Sequence, residues 1–171
     1  MGRAPAVFVL LLSLLSGPAA AQQKTFRDPL VEHLAGQWIL RGTIAGKPVV
    51  HDITAQWTLA HQYLEIREVS RETTADGLPA YQARIFIGWD QSKGIYDCVW
   101  LDDYGSISTQ SLGYAPAAKT QMAFVFYDRD DPDSFHTTFS YDAVADRWAM
   151  NMDRASGGKL TAFARTILTR P

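Results

Sequence analysis

The chain has 171 residues, of which 47% are hydrophobic and 12% aromatic, enough for one domain with a single packed core. Its 16 lysines and arginines against 18 aspartates and glutamates give a formal net charge of −2 with no basic stretch, which argues against nucleic acid and anionic membrane as partners. Cys98 is the only cysteine, so no internal disulfide supports the fold.

Residues 1–21 have the pattern of a secretory signal peptide. Arg3 supplies the positive start, residues 7–15 form an apolar run, and Ala19-Ala20-Ala21 fits the small-residue cleavage rule. We therefore expect cleavage before Gln22 and an exported protein, periplasmic or secreted. The apolar run is too short to span a bilayer, so no stable membrane insertion is expected.

The remaining chain divides into a flexible leader at 22–27 and one domain at 28–171. Asp28 and Pro29 have the residue types of a helix N-cap and first helical position, and Gly36 ends the pattern, which predicts a short helix over 29–35. A helix this short needs its apolar face covered, and we expect it to cap one end of the domain.

Ten strand-like runs follow, separated by turn residues and without a further helical pattern. Their short connections make neighbouring strands antiparallel, and a row of ten leaves two exposed edges unless the sheet closes. We predict an all-β fold, a closed up-and-down antiparallel barrel of about ten strands, with a two-sheet sandwich as the alternative. The runs cover residues 37–44, 48–59, 62–71, 79–89, 95–102, 106–114, 120–128, 134–141, 147–153 and 159–169.

Counting the strands up and down sorts the loops onto two ends of the barrel. The end that carries the helix, here called the closed end, receives the loops at 60–62, 90–94, 115–119 and 142–146. The other end, here called the mouth, receives the loops at 45–47, 72–78, 103–105, 129–133 and 154–158. Most of the loop aspartates lie at the mouth, where they are expected to be solvated turn residues, with a preference for a neutral or cationic ligand as the alternative; their spacing is not that of a calcium loop.

Three short motifs resemble those of exported bacterial lipocalin-like (calycin) domains, a family of unknown function. They are Gly36-Gln37-Trp38 at the start of the first run, Ile87-Gly88-Trp89-Asp90, and Val99-Trp100-Leu101-Asp102. The resemblance covers about residues 30–170 and implies a lipocalin-like barrel. It also implies an arginine of the last strand packed over Trp38, and antiparallel closure favours Arg170 over Arg165 for that contact.

The alternating faces that point inward are rich in aromatic residues and methionine, which suits a cavity for a small hydrophobic ligand. We therefore predict a ligand-binding protein without covalent chemistry, the alternative being a barrel filled by its own side chains. No cofactor and no metal site are expected, and an enzyme is the less favoured class. The predicted ligand-binding residues are Trp57, Tyr81, Ile85, Trp89, Phe124, Phe126, Trp148, Met150 and His51.

Two other functions remain open from the sequence. Tyr63, Glu65 and Arg67 alternate along one strand and would form an acid–base site of an isomerase or decarboxylase if they faced the lumen, although a solvated outer face is favoured. His51 and His136 are the histidines available to a haem-binding barrel such as a nitrobindin, whose histidine comes from the last two strands, where this chain has none. Cys98 is expected to be a small buried hydrophobe.

Overall fold

The computed structural model describes residues 25–105, 111–126 and 133–171. These form the predicted closed antiparallel barrel, in which each strand pairs with its neighbours in sequence and the first strand pairs with the tenth. One helix precedes it, α1 at Pro29–Leu34. The strands are β1 Gly36–Ile44, β2 Lys47–Thr58, β3 Tyr63–Ser70, β4 Gln82–Asp90, β5 Ile95–Asp102, β6 Leu112–Pro116, β7 Gln121–Phe126, β8 Phe135–Asp142, β9 Arg147–Ser156 and β10 Lys159–Thr169.

The barrel follows from the alternation of apolar and polar residues along each strand. In β2 the buried positions are His51, Ile53 and Ala55, and the intervening Asp52 and Thr54 are exposed. Successive side chains of a strand point to opposite faces, so this pattern assigns one face to the interior and one to solvent. The sheet closes where β1 runs against β10, from Ile39 opposite Thr169 to Ile44 opposite Ala164.

The largest differences from the predicted boundaries lie in β4, β6 and β9, and β9 continues to Ser156 rather than ending at 153. β4 begins at Gln82 rather than at 79, because Pro79 lies in an isolated bridge with Thr73 and has no N–H to donate to a ladder. β6 runs from Leu112 to Pro116 rather than over 106–114, since its pairing with β5 extends to Pro116 opposite Ile95. Residues 106–110 of that predicted run lie outside the described residues.

The middle of the barrel is packed with large side chains. Trp148, Phe124, Phe139, Met122 and Met150 are each between 0 and 2% exposed. A side chain beside an internal space that admits water would retain accessible surface, so no such space adjoins these residues. The middle of the barrel is therefore solid, as the alternative of a filled barrel predicted.

The closed end is held by the contact predicted between Trp38 and Arg170. Trp38 is 1% exposed and its Nε1 donates to the backbone oxygen of Leu34 at 2.7 Å. The guanidinium carbon of Arg170 lies 3.5 Å from the centroid of the Trp38 ring, and its nitrogens donate to the backbone oxygens of Ala35 and His33. Gly36 has φ +117°, and a Cβ there would lie 2.6 Å from Arg170 Nη1, which explains the glycine of the motif.

The N-terminal segment also belongs to the closed end. Phe26 was assigned to the flexible leader, yet it is 7% exposed, and its N–H donates to the backbone oxygen of His61. Asp28 caps α1 as predicted, since its Oδ1 accepts from the N–H groups of Leu30 and Val31. The predicted signal peptide at 1–21 and residues 22–24 lie outside the described residues. Among the residues described, no helix is long and apolar enough to cross a membrane.

Candidate functional site

Two of the predicted ligand-binding residues lie at the closed end. Trp57 and Trp89 contact the ring of Phe26, with centroids 5.5 Å and 6.2 Å away. Trp57 Nε1 also donates to Glu32 Oε2 of the helix at 3.0 Å. These two tryptophans therefore seat the helix and the segment before it, and Phe26 occupies the space between them.

Four more of these residues lie in the solid part of the barrel. Ile85, Phe124, Trp148 and Met150 are between 0 and 2% exposed and pack against other interior side chains. They contribute apolar area to the core and have no surface free for a ligand to cover.

The remaining three, His51, Tyr81 and Phe126, lie toward the mouth. The rings of His51 and Tyr81 are stacked with their centroids 5.7 Å apart, and Phe126 meets the ring of Trp100 edge-on at 6.3 Å. Trp100 Nε1 donates to the Tyr81 hydroxyl at 3.1 Å, which links the two pairs of rings. We call the set formed by His51, Glu68, Tyr81 and Trp100 the mouth cluster.

The centre of the mouth cluster is an interior pair of ionisable side chains. His51 Nδ1 lies 2.5 Å from Glu68 Oε1, and the two side chains are 4% and 2% exposed. His51 is on β2 and Glu68 is on β3, where the neighbours of Glu68 on the inward face are Ile66 and the buried Ser70. Such a pair fixes the orientation of the imidazole and leaves Nε2 as the ring nitrogen turned away from the carboxyl group.

The electrostatic surroundings of the cluster are acidic. Burial, followed by the charge of Glu68, raises the pKa of Tyr81 well above its ordinary value, so the hydroxyl stays protonated at any physiological pH. Burial and the neighbouring charge of Asp103 also raise the pKa of Asp102 at the end of β5. Tyr81 is therefore a neutral hydrogen-bonding group beside carboxyl groups.

A second group of partly buried aromatic residues lies across the mouth. Phe135 at the start of β8 and Phe163 on β10 meet edge-on at 5.3 Å, and the guanidinium carbon of Arg154 lies 4.7 Å from the Phe163 ring centroid. Phe163 lies at an irregularity in the pairing of β9 with β10, where it has no partner on β9. The mouth thus has apolar walls on both sides, which keep some accessible surface.

The sequence patterns did not identify Glu68, Phe135 or Phe163 as residues of the site. Glu68 continues the apolar alternation of Leu64 and Ile66, and that position on the inward face was the available signal for a buried carboxyl group. Phe163 had no such signal, because an irregular strand pairing alters the alternation that assigns faces.

The enzymatic alternative assumed that the charged face of β3 lines the lumen, and this assumption is wrong. The inward positions of β3 are Leu64, Ile66, Glu68 and Ser70, so Tyr63, Glu65 and Arg67 lie on the outer face. Glu65 Oε1 accepts from Arg84 Nη1 at 2.5 Å across that face. The favoured interpretation, an ordinary solvated face, is confirmed.

The two histidines of the haem alternative are separated by the wall of the barrel. His136 alternates with the inward-facing Phe135 and Thr137, lies on the outer face, and contacts Ser134 Oγ through its Nε2 at 2.8 Å. Of these two histidines, only His51 lies in the interior of the barrel.

Cys98 is 1% exposed, as expected, and burial raises the pKa of its thiol. No three His, Cys, Asp or Glu side chains in the described part of the chain are grouped to hold a metal ion.

The outer surface carries two open grooves. One has a volume of about 300 Å³ and the other about 220 Å³, and Arg67 and Arg84 line both. Both are open to solvent and lined in part by charged side chains, and Arg84 is already paired with Glu65. These grooves do not fit a mainly apolar molecule.

The chain matches no protein-family model and no curated protein.

Proposed function

We propose that this is an exported lipocalin-like protein that binds a small, mainly apolar molecule at the mouth of its barrel. The observation that carries the proposal is the mouth cluster, in which the partly exposed Tyr81 ring stacks on His51 of the buried His51–Glu68 pair and Trp100 donates a hydrogen bond to that tyrosine. Ligand sites commonly combine apolar walls with a few placed polar groups, and the mouth has both.

The distribution of exposure along the barrel supports this position over the centre. Interior side chains of the middle are already covered on all sides, whereas Tyr81, Trp100, Phe135 and Phe163 keep accessible surface. Covering such aromatic surface contributes about 25 cal/mol per Å². The ligand therefore gains its binding free energy at the mouth, and the packed middle serves as the floor of the site.

A fluorescence titration with the apolar dye N-phenyl-1-naphthylamine tests the proposal. We expect saturable binding to the wild-type protein and a loss of at least about tenfold in affinity in Trp100→Ala, because the removed ring is a wall of the site. Trp57→Ala is the matched control, since Trp57 is also a partly buried, hydrogen-bonded tryptophan but lies at the closed end.

Absence of saturable binding would overturn the proposal, as would a loss of binding in Trp57→Ala with none in Trp100→Ala. Thermal melts of both variants separate loss of affinity from loss of fold. Native mass spectrometry of the protein taken from its own compartment then identifies the molecule by mass. The haem alternative remains a separate prediction, namely a hemin absorbance band that disappears in His51→Ala.

A further inference from the structure

The outer face of the barrel carries two arginines side by side. In the antiparallel pairing of β3 with β4, Arg67 lies directly opposite Arg84. Both side chains point outward, since the residues before and after each of them in its strand are buried. Positions that are directly opposite have their Cβ atoms about 4.5–5.5 Å apart, and like charges at this separation destabilise a sheet. An anion bound by both guanidinium groups would remove this repulsion.

The carboxylates nearest to Arg67 on this face are already bound to other arginines. Glu65, two residues earlier on β3, accepts from Arg84 Nη1 at 2.5 Å. Asp52 on β2 accepts from Arg71 through both of its oxygens, at 2.6–3.0 Å. In the part of the chain that the structure describes, the Arg67 guanidinium forms no ion pair and no hydrogen bond. Its N–H donors are therefore available to a ligand from solvent.

The smaller of the two outer grooves brings these donors together. It has a volume of about 220 Å³ and is lined by Thr54, Gln56, Glu65, Arg67 and Arg84, which are all outward positions of β2, β3 and β4. The strand register places Thr54, Arg67 and Arg84 in one row across the sheet. The hydroxyl group of Thr54 and the amide of Gln56 add further hydrogen-bond donors to those of the arginines.

The charge of this groove favours an anion. Two arginines and one glutamate give it a formal charge of +1, in a chain whose net charge is −2. The larger groove shares both arginines and is also lined by Glu68, Asp102 and Asp103. Glu68 and Asp102 occupy inward positions of their strands, and Asp103 Oδ2 accepts from the N–H of Gln82 at 3.0 Å. These carboxyl groups therefore do not pair with Arg67.

We propose that Arg67 and Arg84 together bind a phosphate group in the smaller groove, either as inorganic phosphate or as the monoester of a small molecule. A guanidinium group donates two parallel hydrogen bonds to a carboxylate or to one edge of a phosphate. One arginine therefore occupies both oxygens of a carboxylate, whereas a phosphate group keeps oxygens for the second arginine. The site lies outside the barrel wall and is independent of the apolar site at the mouth.

The organic part of a monoester has a surface to cover in the adjoining larger groove. Val69, Ala83 and Leu101 contribute apolar atoms to its lining. An ester with an apolar group would gain free energy by covering them, and inorganic phosphate would not. A comparison of phenyl phosphate with inorganic phosphate therefore distinguishes the two sources of the phosphate group.

An NMR titration of the nitrogen-15-labelled protein tests the proposal. The probes are inorganic phosphate, phenyl phosphate and acetate, at a low and constant ionic strength, because salt screens exposed charges. We expect saturable shifts of the Arg67 and Arg84 Nε–H resonances with phosphate, and a dissociation constant of the order of 1 mM. Acetate should bind about tenfold more weakly, since it engages one arginine only.

Arg67→Gln is the variant that tests the contact, because it keeps a polar side chain of similar length at an exposed position. We expect it to bind phosphate about tenfold more weakly than the wild type. Arg147→Gln is the matched control, since Arg147 is also an exposed arginine but pairs with Asp142 at the closed end, and its affinity should be unchanged. In chloride without phosphate, Arg67→Gln should melt no lower than the wild type, because the repulsion with Arg84 is lost.

The outcomes separate a specific site from general attraction of charge. Saturable binding of phosphate that weakens in Arg67→Gln supports the proposal, and tighter binding of phenyl phosphate identifies a monoester as the source. Absence of saturable shifts with both phosphate probes overturns it. Equal affinity for acetate and phosphate, an unchanged affinity in Arg67→Gln, or an equal loss in Arg147→Gln overturns it as well.

Discussion

The two ends of the barrel use polar side chains for different purposes. At the closed end, hydrogen bonds join parts of the chain that the sheet does not connect: Tyr96 donates to Asp28 Oδ2 of the N-terminal segment at 2.8 Å, and Arg170 donates to the backbone of α1. Toward the mouth, the His51–Glu68 pair links two strands that already share a ladder. The comparison teaches that a polar contact is structural where it replaces a missing connection, and that a redundant buried contact needs another explanation.

Trp38→Ala should have the largest effect on stability. The ring is 1% exposed, and its loss removes the surface on which α1 and Arg170 rest, so we expect a cost of about 3–5 kcal/mol in the free energy of unfolding. Urea unfolding measures it. Ligand affinity at the mouth should be unchanged in the folded fraction. A cost below about 1 kcal/mol would show that the Trp38 contact does not hold the closed end.

Glu68→Leu tests whether the buried pair stabilises the barrel. Removing the carboxyl group alone leaves His51 unpaired in the interior, and we expect a cost of about 3 kcal/mol. The double variant His51→Leu/Glu68→Leu should recover wild-type stability within about 1 kcal/mol, because two apolar side chains leave no buried polar group without a partner. If the double variant were as unstable as Glu68→Leu, the His51–Glu68 pair would be a structural contact. The two ends of the barrel would then not differ in their use of polar side chains.

Arg170→Ala should have a smaller effect than either. Its guanidinium is partly exposed, so the loss of the cation–π contact and of the bonds to Ala35 and His33 should cost about 1 kcal/mol. Arg147→Ala is the control, since Arg147 forms an exposed ion pair with Asp142 and is expected to cost under about 0.5 kcal/mol. Equal melting temperatures for the two variants would show that Arg170 does not help to hold the closed end together.

Asp97→Asn should produce the smallest effect, visible as a pH dependence. Asp97 Oδ1 is buried and has no hydrogen-bond partner among the described residues, and burial raises the pKa of this carboxyl group. The folded state therefore keeps its proton at a higher pH than the unfolded state, so stability falls as pH rises from about 3.9 through the native pKa. The amide variant should lose this part of the slope and be more stable at neutral pH. Identical slopes would contradict the account.

The sequence predicted the barrel well because its signals are local. Alternation assigned the face of β2, Asp28 and Pro29 marked the start of the helix, and closure placed Arg170 against Trp38. The lipocalin-like resemblance remains a prediction, since the chain matches no protein-family model.

The candidate site was harder to predict because it depends on pairing between strands. Glu68 and His51 come together through the register of β2 with β3, which no single strand's pattern contains. Phe26 had no periodic pattern around it, and its burial is explained by contacts with the distant rings of Trp57, Trp89 and Tyr96. The sequence pattern also could not predict whether the barrel is hollow or filled, because alternation gives the direction of a side chain and not the space left beside it.

The pairing of β1 with β10 has a consequence for how the chain reaches its folded state. β1 finds its partner on one side at once, in the hairpin with β2, but its partner on the other side is the last strand to be synthesised. Contacts between residues this distant in sequence are slow to form, because a long loop must close before they contribute. The edge of β1 and the cap over Trp38 stay open until then, and an unpaired strand edge of this kind is prone to association with other chains.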